Sequence, residues 1–409
     1  MSAAQLLNLV SLKGAETSGS SSVDKVLKAL REHLGMDVAF VTEFRAHDRV
    51  FTHVDAQGES PIKAGDTLPL SAGYCQKVVS GELPQLIADT GLNPLAQTIP
   101  ETYAVPIGSH MSVPIHLSDG RLYGTFCCFG YNPDKSLGER DMQIMRVFAE
   151  LLADHLDSDL KRVRDRVNKH QRISEALAEA QPNIVYQPIF DARELRVCGW
   201  ECLSRFTMEP FRSPDQWFRE ASEAGLGLDL ESRAIEVALE GLSAMPEPQY
   251  MALNCSPELI LSGRLHLLLH EAPSSRLVLE ITEHVVVSDY LELLAALKPL
   301  REAGVRVAID DAGAGYSSMR HILQLGPDII KLDMSLTQGI DQDCKRLAMA
   351  SALIAFARET GSTVVAEGVE TTAELETLRA LGVRMVQGFL LGRPVSLAQV
   401  PMSLASRRL

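Results

Sequence analysis

The chain has 409 residues, more than one ordinary core accommodates, so two domains are expected. With 46% hydrophobic and 22% charged residues it has the composition of a globular protein and not of a disordered one. A formal net charge of -14 argues against long-range attraction to nucleic-acid phosphates or anionic lipid, so direct DNA binding is not expected and any anionic ligand must be held locally.

The seven cysteines include no Cys-x-x-Cys pair, and a chain of this size does not need disulfides to fold. No apolar run approaches the roughly 18 residues of a membrane span, and the N-terminal stretch is apolar only briefly. A reducing cytoplasm is therefore the expected location, with neither secretion nor a membrane span.

Residues 1–21, closing on a Ser-rich stretch, read as a flexible N-terminus. A helical pattern through Val23 to Leu34 then leads into two short apolar strands, "MDVAFVTEF" and "VFTHVDAQG". Further on, "HMSVPIHLSDGRLYGTFCCF" is two alternating apolar runs around Ser118-Asp119-Gly120, a β-hairpin signal in which the glycine supplies a positive φ. This region is mixed α and β.

From Ser136 to about Ala180 the pattern is helical for longer than a usual globular helix, which suits a connector between domains. Within it Leu156, Leu160, Val163 and Val167 recur at four, three and four residues beside the basic run "KRVRDRVNKHQR". Two readings stay open: a solvated helix with one packed face, or a dimerisation seam.

From Asn183 onward "NIVYQPIF", "RVCGWECLSRF", "YMALN", "RLVLEIT", "VRVAID", "DIIKLD", "STVVAEG" and "RMVQGF" alternate with helical stretches. Eight such runs predict a closed (β/α)8 barrel, whose active site lies at the C-terminal ends of its strands. The polar residues at those ends are Gln187, Glu201, Asn254, Glu280, Asp310 with Asp311, Lys331, Glu367 and Gln387.

Acids converging on one mouth repel one another and resist ionisation in a partly dry site unless cations join them. Oxygen donors without clustered His or Cys point to Mg²⁺ or Mn²⁺, and adjacent Asp310 and Asp311 suit two ions about 3.5–4 Å apart. Gly313 and Gly315 let the backbone turn sharply behind them. An isolated Asp-Asp pair is more often solvated or capping; the agreement among strands favours metal.

The same residues carry a resemblance. "YQPI", "ECLSR", "LN", "EITE", "DDAGAGYSS", "IKLD", "AEGVE" and "QGF" make residues 183–405 resemble the EAL domain of cyclic di-GMP phosphodiesterases. The resemblance implies two cations per barrel and hydrolysis of cyclic di-GMP to linear pGpG. Glu201, Asn254, Glu280 and Asp310 would hold the first cation, and Asp310, Asp311 and Glu367 the second. Lys331 would orient the attacking water and Glu367 would be the general base, while Arg205, Gln187 and Gln387 would contact substrate. Glu283 would anchor the loop after Asp311.

Two departures stand out from that pattern. Cys202 replaces the motif's Ala, and strand alternation turns it away from the Glu201 side, toward packing. Ala312 and Ala314 stand where the family usually carries Phe and Thr, so a looser regulatory loop is expected.

Residues 22–157 resemble a GAF domain of unknown ligand, joined to the barrel by a helical linker, 158–182. Bilin attachment is disfavoured because Ser109 precedes His110 where a Cys-His pair is wanted, with Cys75 a remote alternative. Cys75, Cys127 and Cys128 read as buried small hydrophobes. A homodimer through the linker, the GAF-like domain or a barrel loop is expected. The leading reading is an active phosphodiesterase regulated by its N-terminal domain. Its rivals are a catalytically silent cyclic di-GMP receptor and an unrelated Mg²⁺-dependent barrel enzyme.

Overall fold

The computed structural model describes residues 22–281, 287, 289–313 and 316–401, and the chain divides into two units between Asp165 and Arg166. In the first, β1 (Val38–Phe44), β2 (Asp48–Ala56), β3 (Thr67–Pro69), β4 (Leu86–Ile87), β5 (Ser109–His116) and β6 (Leu122–Gly130) form one sheet in the order β3-β2-β1-β6-β5-β4. Every pairing is antiparallel, and the expected hairpin joins β5 to β6 with Gly120 at φ 81°.

Period-2 alternation gives this sheet two cores. Ala39, Val41, Met111, Val113, Phe126 and Cys128 face one way, against α1 (Ser22–Leu34) and the start of the long helix described below. Helix α1 inserts Val23, Val26, Leu27, Leu30 and Leu34, a spacing of three and four that keeps one face apolar. Each fully buried leucine there contributes about 1.5–3 kcal/mol. Val38, Phe40, Cys127 and Phe129 face the other way, against α2 (Tyr74–Val79) and the segment leading into α3 (Pro100–Ala104).

Helix α4 (Glu139–Ala178) runs for 40 residues. Its first half buries Met142, Met145, Phe148, Leu152 and Leu156 on the sheet. Leu160, Val163 and Val167 are then 41%, 62% and 58% exposed, so the heptad seam continues beyond the core as an apolar stripe. Ile173 and Ala176 are buried again, with Trp217, Ala221 and Leu230.

The second unit is a barrel of eight strands: β7 (Asn183–Asp191), β8 (Val197–Arg205), β9 (Tyr250–Asn254), β10 (Leu277–Ile281), β11 (Arg306–Ala312), β12 (Ile329–Leu332), β13 (Thr363–Ala366) and β14 (Met385–Val386). From β8 to β14 neighbours are parallel, while β7 is antiparallel to both β8 and β14 and closes the ring. The expected eight-stranded barrel is present, and its first step is a hairpin where the other steps carry helices. Asp191 Oδ1 accepts from the backbone N–H groups of Arg193 and Glu194, both at 2.8 Å, and this local turn reverses the chain. A short β15 (Val395–Ser396) adds to β7.

Helices follow β8 to β13: α5 (Pro214–Ala224) and α6 (Gly227–Glu240), α7 (Pro257–Leu261) and α8 (Arg264–Leu268), α9 (Tyr290–Glu302), α10 (Tyr316–Leu325), α11 (Met334–Thr337) and α12 (Cys344–Thr360), then α13 (Thr372–Ala380). Outward strand residues such as Met251, Leu279, Ile309 and Ile330 pack beneath them, and Cys202 lies in this outer layer with Trp200. Inward residues Ile189, Tyr250, Ala252, Val278, Ala308, Ile329 and Val365 fill the barrel axis. No helix among the described residues is long and apolar enough to cross a membrane.

Candidate active site

The apolar plug sets the level of the site. Two residues beyond Ala252, Val278, Ala308, Ile329 and Val365 stand Asn254, Glu280, Asp310, Lys331 and Glu367, so strand alternation brings each back to the barrel interior one layer above the plug. Gln387 stands in the same relation to Met385, which packs against the plug. The register places Asn254 beside Glu280. Glu201 reaches the layer from the middle of β8, opposite Gln187 on one side and Ala252 on the other. Gln187 and Glu201 therefore do not close their strands.

Asp311 needs a different device, because in a regular strand it would face away from Asp310. The pairing of β11 with β12 is irregular between Ile309 and Ala312, and Asp311 has φ 57°, the left-handed region that Asp tolerates better than most residues. Its N–H donates to Asp310 Oδ1 at 3.0 Å. Both neighbouring acids thus bring a carboxylate oxygen into one cluster with Glu367. Behind them Gly313 has φ 108°, and a Cβ there would overlap Leu336 Cδ1.

Lys331, 1% exposed, is the hub. Its Nζ lies 2.7 Å from Glu367 Oε1, 3.0 Å from Asp310 Oδ1, 3.1 Å from Glu280 Oε2 and 3.3 Å from Glu201 Oε1. Gln387 Nε2 donates to the other oxygen of Glu201 at 2.6 Å, while Gln387 Oε1 is buried without a hydrogen-bond partner. Burial pushes the Glu280 and Glu367 carboxyls well above the usual range; Lys331 opposes the shift and the neighbouring acids add to it. Burial disfavours the Lys331 charge too, but the carboxylates outweigh it and raise the ammonium's pKa.

One ammonium facing four carboxylates leaves the layer short of positive charge. Oxygens of Glu201, Glu280 and Asp310 lie within 4.8 Å of one another, as do oxygens of Asp310, Asp311 and Glu367. The two triads share Asp310. An all-oxygen donor set with excess negative charge fits two hard divalent cations.

The remaining expected residues are placed differently. Asn254 is exposed at the end of β9. Gln187 Nε2 donates to the Gly392 carbonyl at 3.3 Å, and Arg205, exposed at the end of β8, donates from Nη1 to the Ser204 carbonyl. Glu283, Ala314 and Gly315 lie outside the described residues, while Ala312 is fully buried and pairs with Leu332. A residue the sequence reading missed is Glu231 of α6, whose Oε2 accepts from Ser256 N at 3.2 Å and Ser256 Oγ at 2.7 Å. It pins the loop just after Asn254. Its only sequence signal is an acid between Leu230 and Ile235 on the apolar side of a helix.

The EAL domain matches residues 170–394, and the GAF domain matches residues 20–157. The chain belongs to the EAL family. This is a cyclic di-GMP phosphodiesterase family, here with an N-terminal GAF domain. The bifunctional diguanylate cyclase/cyclic di-GMP phosphodiesterase MucR of Pseudomonas aeruginosa is 34% identical over 248 residues, covering 57% of this chain and 36% of MucR. The cyclic di-GMP phosphodiesterase NbdA of the same organism is 30% identical over 263 residues, covering 61% of this chain and 33% of NbdA. A solved MucR phosphodiesterase in complex with cyclic di-GMP superposes with a TM-score of 0.51 at 31% identity, over 57% of this chain and 99% of that one. The chain spans less than half the length of the curated relatives it matches.

Proposed function

We propose that the barrel hydrolyses one phosphodiester of cyclic di-GMP, giving linear pGpG, with two bound Mg²⁺ or Mn²⁺ ions. The observation that carries this reading is the pair of carboxylate triads sharing Asp310 around Lys331. Glu201, Asn254, Glu280 and Asp310 would hold one cation, and Asp310, Asp311 and Glu367 the other. Bound cations would supply charge neutralisation at the phosphate and acidify water.

This chain's own groups do the rest. Glu367 takes a proton from the attacking water at its carboxylate, a role its contact with Lys331 supports. Lys331, held protonated by its neighbours, donates to the carboxylates and orients that water. Gln387 fixes the free oxygen of Glu201. Arg205, exposed beyond the layer, is free to swing its planar fork onto a substrate phosphate, and Gln187 contacts substrate beside Glu201.

The GAF domain and α4 are read as the regulatory input, and the exposed stripe at Leu160, Val163 and Val167 as a seam between two copies. The test is formation of pGpG from cyclic di-GMP by the purified chain, with metal present and then removed by chelator.

A further inference from the structure

The first unit contains a second cluster of reactive groups, unrelated to the barrel chemistry. Alternation along β6 sends Cys127 to the α2 side of the sheet and Cys128 to the other. Helix α2 brings Cys75 to meet Cys127, with the two Sγ atoms 3.6 Å apart and both residues at most 1% exposed. Cys127 also contacts Ser112 Oγ at 3.1 Å and Thr125 Oγ1 at 3.2 Å.

Beside Cys75 lies a cavity of about 20 Å³, room for a water-sized molecule. Aromatic and aliphatic side chains line most of it, together with Cys75, Arg49, Glu101 and His110. Cys127 is not in the lining. A molecule in the cavity meets Cys75 first, with Cys127 behind it.

The polar groups are arranged around that sulfur. Arg49 is 1% exposed and ion-paired to Glu101, yet its Nε has no partner, and neither does Nδ1 of the equally buried His110. The chain is drawn so tightly over the guanidinium that a Cβ at Gly73 would overlap it. The hydrogen bond from Cys127 pulls the Cys75 thiol down to about 6 against the effect of burial, and Arg49 adds to the pull. Burial pushes Cys127 up. The two shifts run in opposite directions, Cys75 toward the thiolate and Cys127 toward the thiol, the asymmetry that suits a nucleophile and a resolving group.

We propose that Cys75 and Cys127 are a modification site, a pair that a small hydroperoxide entering this cavity oxidises to a disulfide. The Cys75 thiolate attacks one peroxide oxygen, an S–O bond forms and the O–O bond breaks. The leaving hydroxide takes a proton, giving water and a sulfenic acid at Cys75. Cys127 then attacks that sulfur; its thiol proton leaves with the displaced hydroxide as a second water. Two thiols and one hydrogen peroxide give one disulfide and two waters, the peroxide being the two-electron acceptor. Closing the bond brings the sulfurs from 3.6 Å to about 2.05 Å.

The experiment uses the full reduced chain, hydrogen peroxide in slight excess, alkylation of the remaining thiols and tryptic mapping. The expected product joins residues 64–77 to residues 122–135, with fragmentation placing the bond on Cys127, and dithiothreitol reverses it. Its rate rises as pH increases through about 6. Oxidised glutathione, too bulky for the cavity, forms it about tenfold more slowly or worse. A Cys128→Ala chain gives the same cross-link. Peroxide oxidation of exposed Cys344 with no Cys75–Cys127 cross-link would overturn the proposal, as would equal rates with peroxide and oxidised glutathione. The wild-type measurement requires no variant to fold.

Discussion

Lys331 Nζ and Glu367 Oε1 lie 2.7 Å apart, the shortest of four contacts by which one buried ammonium holds carboxylates from β8, β10, β11 and the residue after β13. Removing that charge leaves buried acids without compensation. Lys331→Met should therefore destabilise the metal-free barrel by about 3–5 kcal/mol. Divalent cations should restore more stability to this variant than to wild type, measured as urea midpoints in chelator and in Mn²⁺. An equal metal increment in both would show that the cations do not enter this layer.

Asp311 separates backbone from charge. Asn tolerates φ 57° nearly as well as Asp, whereas Ala adds about 1–2 kcal/mol of left-handed strain. Asp311→Asn is expected to keep wild-type stability to within about 1 kcal/mol but to bind one Mn²⁺ instead of two in equilibrium dialysis. Asp311→Ala should lose the same ion and also unfold at lower urea.

Glu231 acts at one remove from the site. Glu231→Ala strips the acceptor from both Ser256 N and Ser256 Oγ, a loss of about 1–3 kcal/mol. Because Ser256 follows Asn254 by two residues, weaker Mn²⁺ binding is expected as well. Glu231→Gln, which keeps an acceptor, should recover most of both.

The site layer was readable because barrel strands obey a period of two. "YMALN", "RLVLE", "VRVAID" and "IIK" each carry an inward apolar residue two positions before the polar one, so sequence alone aligns Asn254, Glu280, Asp310 and Lys331. What alternation does not contain stayed hidden. The reversed direction of β7 depends on the small Asx turn at Asp191, and the inward aim of Asp311 depends on a backbone irregularity. The Cys75–Cys127 contact joins residues 52 apart in sequence across two elements, a tertiary fact without local pattern. No local pattern marks Arg49, which the fold leaves 1% exposed against Glu101.

His110 gives the N-terminal unit a pH dependence of known sign. Burial, helped by Arg49, lowers its folded pKa to about 3, against about 6.5 in an unfolded chain. Between those values the unfolded state binds the extra proton, so stability falls as pH drops, by up to about 1.4 kcal/mol per pH unit. The difference between wild type and His110→Phe, compared at pH 7 and pH 5, isolates this contribution. A wild-type loss no steeper than that of the variant would contradict the neutral, buried imidazole.

The most direct measurement of two-cation turnover of cyclic di-GMP at the acids around Lys331 is pGpG formation followed by chromatography. Wild type is expected to convert substrate with Mg²⁺ or Mn²⁺ and to stop in chelator. Glu201→Gln, which keeps the side chain's shape but loses its charge, should fall by at least about a hundredfold. Tight cyclic di-GMP binding without turnover at any metal concentration would contradict the account and make the barrel a receptor.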